Sequence, residues 1–330
     1  MPRMGILTSG GDAPGMNSAL RAAVRSGLRL GYEIVGIRRG YTGLIEGDTV
    51  PLDSPSVSGI IDRGGTILLT ARSAEFMTKE GQKRALATVA SLGLDGLVVI
   101  GGNGSLKGAR ALQSQGVPTV GVPASIDNDI YGTVMAIGVD TALNTVVESL
   151  SRIRDTAFSH ERAFIVEVMG RDSGYIALMG GLAGGAEVVL IPEVSTTLDE
   201  VALRVQERLR RGKRHSILVV AEGFTPDGED PGTFAGAGHA VCAHLERTLT
   251  LETRLTILGH VQRGGSPTAF DRILASRLGE AAVRFLSEGK SGVMAALSCR
   301  DIVAIPLTEA DRASGNVDLE VYRLVDDLSR

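Results

Sequence analysis

Short apolar runs alternate with segments of helical apolar spacing along most of this chain, and that alternation limits its fold more than any other feature. The runs at 4–7, 32–37, 96–100, 119–122, 163–168, 188–191, 217–220 and 254–258 have the length and content of buried strands. Between them, the segments 18–30, 81–92, 141–154, 198–211 and 272–288 repeat apolar residues every three or four positions, as helices with one covered face do. Strand, helix, strand in repetition predicts an α/β fold of mainly parallel, doubly wound sheets, because parallel neighbours need a crossover and a helix supplies it. With 330 residues the chain exceeds what one core usually serves, so two lobes are expected. The segment 223–238, GFTPDGEDPGTFAGAG, reads as an inserted or mobile surface loop.

Sheets of this kind bind ligands at the carboxyl ends of their strands. Many of the 43 glycines fall there, which points to backbone approaching a ligand closely. The net charge of −4 gives no overall field for nucleic acid or an anionic membrane, so any anion site must be local. Cys242 and Cys299 have no paired spacing, which argues against a disulfide framework or a zinc site and fits a reducing compartment. Neither a signal-peptide pattern nor a run of about 18 apolar residues is present, and a soluble, cytoplasmic protein is expected.

Three loops carry the chemistry. TSGGDAPGMN (8–17) joins the first strand to a helix, and Gly10 and Gly11 allow backbone amides to face a phosphate at the positive helix end. It matches neither a Walker A loop nor a GxGxxG fingerprint, and the same residues also suit a tight strand-to-helix connection. GGNGSLKGA (101–109) repeats the arrangement after LVVI, so two phosphate-type loops in one sheet point to a polyphosphate. Asn103 or Ser105 would help to hold a magnesium ion there. PASIDNDIYG (123–132) sets Asp127 and Asp129 beside Asn128 at a strand's carboxyl end, which serves either proton transfer and metal binding or an Asx-type turn.

With these loops in view, the chain resembles the ATP-dependent 6-phosphofructokinases over essentially its whole length. The segments RGGTILLTARS (63–73), VEVMGRDSGYIAL (166–178), AGGAE (183–187), AEG (221–223) and ILGHVQRGGSPTAFDRILASRLG (257–279) follow in the family's order. The resemblance implies a larger nucleotide-binding lobe of 1–138 plus 262–312, a smaller sugar-phosphate-binding lobe of 139–261 plus 313–330, and an active site in the cleft between them. It implies that Asp127 is the general base on the 1-hydroxyl of fructose 6-phosphate, that Arg72 and Arg171 stabilise the transferring γ-phosphoryl of ATP, and that Ser125 and Asp129 position substrate and metal. Gly10, Gly11, Arg72, Ser73, Gly102, Asn103, Gly104, Ser105, Lys107 and Gly108 would line the nucleotide site, with Asn103 and Asp129 on magnesium.

Arg162, Arg254, His260 and Arg263 would hold the 6-phosphate, with Met169, Gly170, Arg171 and Glu222 completing the sugar site. In the family, Arg162 and Arg254 serve a neighbouring subunit's substrate, so a homotetramer is implied. Arg21, Arg25, Arg154, Gly185, Glu187, Arg211 and Lys213 match an effector pocket for a nucleoside diphosphate or phosphoenolpyruvate, although RRGKRH (210–215) also reads simply as a solvated helix end.

Four positions depart from the family. Asn103 stands where these enzymes usually carry an aspartate, and Ala124-Ser125 stands for Gly-Thr in GTIDND. Lys107 and Met77 change the rim of the nucleotide pocket, and Ser54-Pro55 replaces an Arg-Tyr pair of the effector pocket. Pyrophosphate-using members carry a lysine at 124 and an acid at 104; Ala124 and Gly104 therefore favour ATP on steric grounds.

Overall fold

The structure, a computed structural model, describes every residue except 161, 214, 228–234, 250, 310, 311, 313, 316 and 330. In chain order its strands are β1 Arg3–Ser9, β2 Glu33–Ile37, β3 Thr49–Leu52, β4 Gly96–Gly101, β5 Thr119–Pro123, β6 Ala163–Val168, β7 Val188–Leu190, β8 Ser216–Ala221, β9 Thr253–Ile257, β10 Val293–Ser298 and β11 Asp301–Pro306. Its helices are α1 Met16–Arg29, α2 Gly40–Glu46, α3 Lys79–Ser91, α4 Asn103–Ser114, α5 Val139–His160, α6 Tyr175–Ala183, α7 Leu198–Arg210, α8 Ala237–Leu249, α9 Ala269–Ser287 and α10 Leu319–Leu328. The chain divides into two compact units, Met1–Thr141 with Arg263–Ser314, and Ala142–Gln262 with Gly315–Arg330.

The first unit is built on a seven-stranded sheet ordered β11-β10-β5-β4-β1-β2-β3. Its inner strands are parallel, and the antiparallel pairs β2-β3 and β10-β11 close the two edges. The mainly parallel α/β class expected from the alternation is what the chain forms. The strands β3, β10 and β11 lie outside the apolar runs read from sequence. β3 is only four residues long and contains Pro51, which an edge strand tolerates because the missing N–H faces away from the ladder.

Helices α1 and α9 pack on each other, and their residues Leu20, Val24, Leu274 and Leu278 share a core with Met4 and Ile6 of β1, Val98 of β4 and Val120 of β5. Burial of each such side chain contributes roughly 1.5–3 kcal/mol. The two helices approach closely at Gly279, where an added methyl would overlap the Ala19 carbonyl oxygen.

The second unit carries a fully parallel four-stranded sheet ordered β7-β8-β6-β9. One cluster joins Ile165, Val188, Leu190, Leu218 and Val220 of the sheet to Leu198, Val201 and Val205 of α7 and Val241 and Leu245 of α8. α7 starts in a capping box: Thr197 accepts from the Glu200 amide at 3.2 Å, and Glu200 accepts from the Thr197 amide at 2.8 Å. The segment 223–238, expected as loop, is helical from Ala237 onward, and its residues 228–234 lie outside the described residues. Among the described residues no helix is long and apolar enough to cross a membrane.

Two stability effects follow from this packing. Gly279→Ala forces backbone against backbone at the α1–α9 crossing and is expected to cost about 1–3 kcal/mol, read as a lower urea midpoint; an unchanged midpoint contradicts the close approach. Thr197→Ala removes the α7 cap and is expected to cost about 1 kcal/mol, with faster amide exchange at Leu198–Val201.

Candidate active site

Within the first unit, main-chain register brings the three sequence-identified loops together. Ser9 at the end of β1 is paired with Gly101 of β4, and Gly101 with Pro123 of β5, so loops 8–17, 101–109 and 123–132 leave the carboxyl ends of three adjacent parallel strands. β1 lies between β2 and β4, which makes this a point where the strand order reverses. The fit is close: a methyl on Gly101 would overlap the Ser9 carbonyl oxygen. Gly10 adopts the left-handed φ of 87° that glycine takes without strain.

The segment 63–73 is bound to the first loop. Thr8 Oγ1 donates to the Leu69 carbonyl at 2.8 Å, Thr70 Oγ1 donates to the Gly10 carbonyl at 2.7 Å, and Asn17 Nδ2 donates to the Arg63 carbonyl at 3.1 Å. These bonds fix the path of the chain up to Arg72, whose side chain is exposed, while Ser73 Oγ accepts from the Phe76 amide at 3.3 Å.

α4 begins directly after Gly102, so its positive end is Asn103-Gly104-Ser105, and no side chain caps it among the described residues. The space beside Gly104 is open. Tyr41 holds this turn from behind: its hydroxyl donates to the Ser105 carbonyl at 2.6 Å, its ring stacks on Phe76 at 4.1 Å, and a methyl on Gly108 would stand 2.6 Å from the ring. Burial pushes the Tyr41 hydroxyl well above its ordinary pKa, so it stays a donor. Sequence reasoning misses both Tyr41 and Phe76, since one aromatic in GYTGLIE carries no phosphate-loop signal. Lys107 lies exposed on the same helix.

The third loop holds Asp127 at 4% exposure, and its carboxylate lies 3.9 Å from the Arg263 guanidinium. Arg263 Nη1 also donates to the Asp12 carbonyl at 3.2 Å, so one arginine touches the first and third loops. Ser125 Oγ accepts from the Asp127 amide at 3.3 Å. Asn103 Nδ2 donates to the Asp129 carbonyl at 3.2 Å, and Asn103 Oδ1 is a buried acceptor without a hydrogen-bond partner among the described residues. No group of three His, Cys, Asp or Glu side chains able to hold an ion occurs among those residues.

In the second unit, Met169, Gly170, Arg171 and Glu222 gather at the carboxyl ends of β6 and β8. The Glu222 amide donates to the Val168 carbonyl at 2.9 Å, and Glu222 Oε1 accepts from the Gly170 and Arg171 amides at 3.2 and 2.8 Å. Arg171 has a left-handed φ of 53°, a conformation that costs a non-glycine residue about 1 kcal/mol or more. His260 is exposed on the short 3-10 turn Gly259–Arg263 that follows β9.

Arg162 and Arg254 lie elsewhere, at the amino ends of β6 and β9, where both contact the Glu252 carboxylate, Arg162 Nε at 2.6 Å. Desolvation raises the Glu252 carboxyl, and the two guanidiniums outweigh it, leaving it below the ordinary carboxylate range. Within the second unit, Arg162 and Arg254 thus pair at the amino end of the small sheet, while His260 follows its carboxyl end; Arg263 is part of the first unit.

Part of the expected effector set does assemble in the second unit. Arg154 Nη2 donates to the Gly184 and Gly185 carbonyls at 2.6 Å each, and Arg154 Nη1 lies 3.7 Å from Glu187, which accepts from the Ile217 amide at 2.6 Å. Gly185, Glu187 and Lys213 line a cavity of 260 Å³, and Glu187 and Arg211 line a second one of 180 Å³. Arg208, outside the expected set, lines both and lies 3.5 Å from Glu187. Arg21 and Arg25 lie one turn apart on α1 in the first unit.

The molecule has close relatives among known proteins. A sequence model described as phosphofructokinase matches residues 3–286. The chain is 52% identical to the ATP-dependent 6-phosphofructokinase of Thermotoga neapolitana over all of both chains, and 54% identical to an ATP-dependent 6-phosphofructokinase 1 of Thermus thermophilus over 98% of each. The solved phosphofructokinase of Saccharomyces cerevisiae superposes with a TM-score of 0.87 at 36% identity, over all of this chain and 48% of that one, so this chain spans about half of the yeast subunit's length. A pyrophosphate-dependent phosphofructokinase from Marinobacter aquaeolei, 20% identical with a TM-score of 0.82 over 99% of this chain and 91% of that one, shares the fold. From the glycine-lined loops of the large sheet to half of all residue identities in full-length relatives, the observations converge: this chain belongs to the phosphofructokinase family.

Proposed function

We propose that the protein transfers the γ-phosphoryl group of ATP to the 1-hydroxyl of fructose 6-phosphate, giving ADP and fructose 1,6-bisphosphate, a step of glycolysis. The observation that carries this reading is the buried Asp127 at the mouth of two glycine-rich strand-to-helix loops, with Arg263 at 3.9 Å. A carboxylate in that place serves as general base on the sugar hydroxyl as it attacks the terminal phosphorus. Backbone amides around Gly10, Gly11 and Gly102–Ser105 receive the phosphate chain, and Ser73, Lys107 and Gly108 border it. Arg72 and Arg171 counter the charge that grows on the transferring group.

The donor is assigned as ATP because space is open at Gly104, Ala124 supplies no lysine, and the relatives that match the chain from end to end are named ATP-dependent. Magnesium fits the residues present. Asn103 Oδ1 is a buried acceptor awaiting a partner and Asp129 adjoins it, while phosphate oxygens and water would supply the remaining positions, as is usual for this ion. Bound there, the ion neutralises phosphate oxygens.

Ser125 and Asp129 align the acceptor, and Met169, Gly170 and Glu222 receive the sugar, with Arg263 binding it from beside Asp127. Arg162, Arg254 and His260 are assigned to the 6-phosphate. The distance of Arg162 and Arg254 from the Arg171 end of their own sheet supports their service to a neighbouring copy in a homotetramer. Arg154, Gly185, Glu187, Arg211 and Lys213, with Arg21 and Arg25, are assigned to a nucleoside diphosphate or phosphoenolpyruvate effector. A cytoplasmic location fits this glycolytic role.

Asp127→Ala is expected to lower kcat by about 10² to 10⁴, the usual worth of a general base, while fructose 6-phosphate binding measured by calorimetry changes less than about threefold. Lost binding with retained turnover refutes the assignment. Asn103→Asp restores a negative ligand and is expected to lower severalfold the free magnesium needed for half-maximal rate; an unchanged magnesium requirement removes Asn103 from the metal site.

A further inference from the structure

The loop that carries Asp127 is closed on itself. Asn128, with a left-handed φ of 47°, accepts from the Ala136 amide at 3.0 Å and donates to the Val134 carbonyl at 3.2 Å. Ile137 then returns to the end of β5: its amide donates to the Pro123 carbonyl at 3.0 Å, and its carbonyl accepts from the Ser125 amide at 3.1 Å. The first loop rests on the same residue, since a methyl on Gly15 would stand 2.7 Å from Ile137. Ile137 is the clasp of the loop, and what fixes Ile137 fixes Asp127.

The residue after the clasp is held by a fully buried carboxylate from the start of α9. Asp271, 0% exposed, accepts from the Gly138 amide at 2.9 Å through one oxygen, and from the Thr141 amide at 2.8 Å and the Thr141 hydroxyl at 2.5 Å through the other. Gly138 has a φ of 101°, and a methyl there would stand 2.7 Å from Ala13, so this backbone has one place to go. Asp271 is itself fixed, because its amide donates to Thr268 Oγ1 at 3.2 Å and that hydroxyl bonds Asp140 at 2.6 Å. Burial pushes the Asp271 carboxyl up, and the three donors oppose that shift.

We infer that Asp271 is a positioning residue for the phosphoryl-transfer step, setting the place of Asp127 through Gly138 and the Ile137 clasp. A helix-capping role alone needs one carboxylate oxygen on the first turn of α5. The second oxygen, on Gly138, lies ahead of that turn and ties it to the catalytic loop. An amide of the same shape accepts on one side only and presents N–H to N–H on the other. The inference rests on the proposed reaction, and the test separates the two.

Asp271→Asn is expected to lower kcat about 10- to 100-fold, the effect of moving a base by a fraction of an ångström to an ångström, with fructose 6-phosphate and ATP binding within threefold of the parent. Thr141→Val, which removes a single hydroxyl and keeps the carboxylate, is expected to lower kcat about two- to tenfold. Thr197→Ala, which uncaps α7 in the second unit and leaves the Asp271 network intact, is expected to lower thermal stability with kcat within about twofold. Hydrogen exchange over 123–141, which needs no substrate, is expected to speed up in Asp271→Asn and not in Thr197→Ala. Unchanged kcat per folded site in both Asp271→Asn and Thr141→Val overturns the inference, and if Asp271→Asn does not fold, unchanged kcat and exchange in Thr141→Val overturn it alone. A parent protein that does not phosphorylate fructose 6-phosphate defeats the proposed reaction instead, and the exchange comparison still judges the clasp.

Discussion

The main-chain register of three parallel strands is the constraint on which the rest depends. Because Ser9, Gly101 and Pro123 stand side by side in β1, β4 and β5, loops from three distant parts of the sequence must emerge at one place. Parallel strands also direct the helices that follow them away from that edge, so the positive ends of α1 and α4 turn toward it. The glycines are a consequence: side chains at 10, 15 and 101 would meet Ser105, Ile137 and the Ser9 backbone respectively. Packing of α1 on α9 beneath the sheet makes the arrangement rigid, and rigidity lets a buried carboxylate be held at a useful position.

The second unit repeats this logic with different chemistry. Its strands β6 and β8 end in a cradle in which Glu222 collects the amides of Gly170 and Arg171, and the strained Arg171 backbone is held by that carboxylate. The opposite end of the same small sheet carries two arginines that share the single Glu252 carboxylate and so keep a net positive charge. A chain that keeps such a cation pair partnered by one carboxylate can retain it at modest cost until an anionic group competes for it.

The sequence discloses the strands that are buried on both faces, because their continuous apolar runs stand out from polar surroundings. It conceals the antiparallel edge strands β3 and β11, each of which contains a proline, and β10, whose Met and Ala content suits a helix as well as a strand. The three loops are legible as glycine-, asparagine- and aspartate-rich strand ends, a composition that also suits plain turns, and it is the register of β1, β4 and β5 that brings them to one edge. Tyr41 is not legible, since its role is to wedge against Gly108 and hold the Ser105 carbonyl, contacts that only tertiary packing creates. Asp271 is hidden for the same reason: FDRILASRLG reads as an ordinary helix start, and the partners at Gly138 and Thr141 stand 133 and 130 positions away.

The central claim is that the three-loop edge of the large sheet handles a nucleoside triphosphate, with Asp127 acting on a sugar hydroxyl. A coupled assay of the purified chain with fructose 6-phosphate, offering ATP and pyrophosphate in separate reactions with magnesium, tests it most directly. The account predicts formation of ADP and fructose 1,6-bisphosphate in equal amounts with ATP, and little turnover with pyrophosphate. Turnover with pyrophosphate but not with ATP would contradict it.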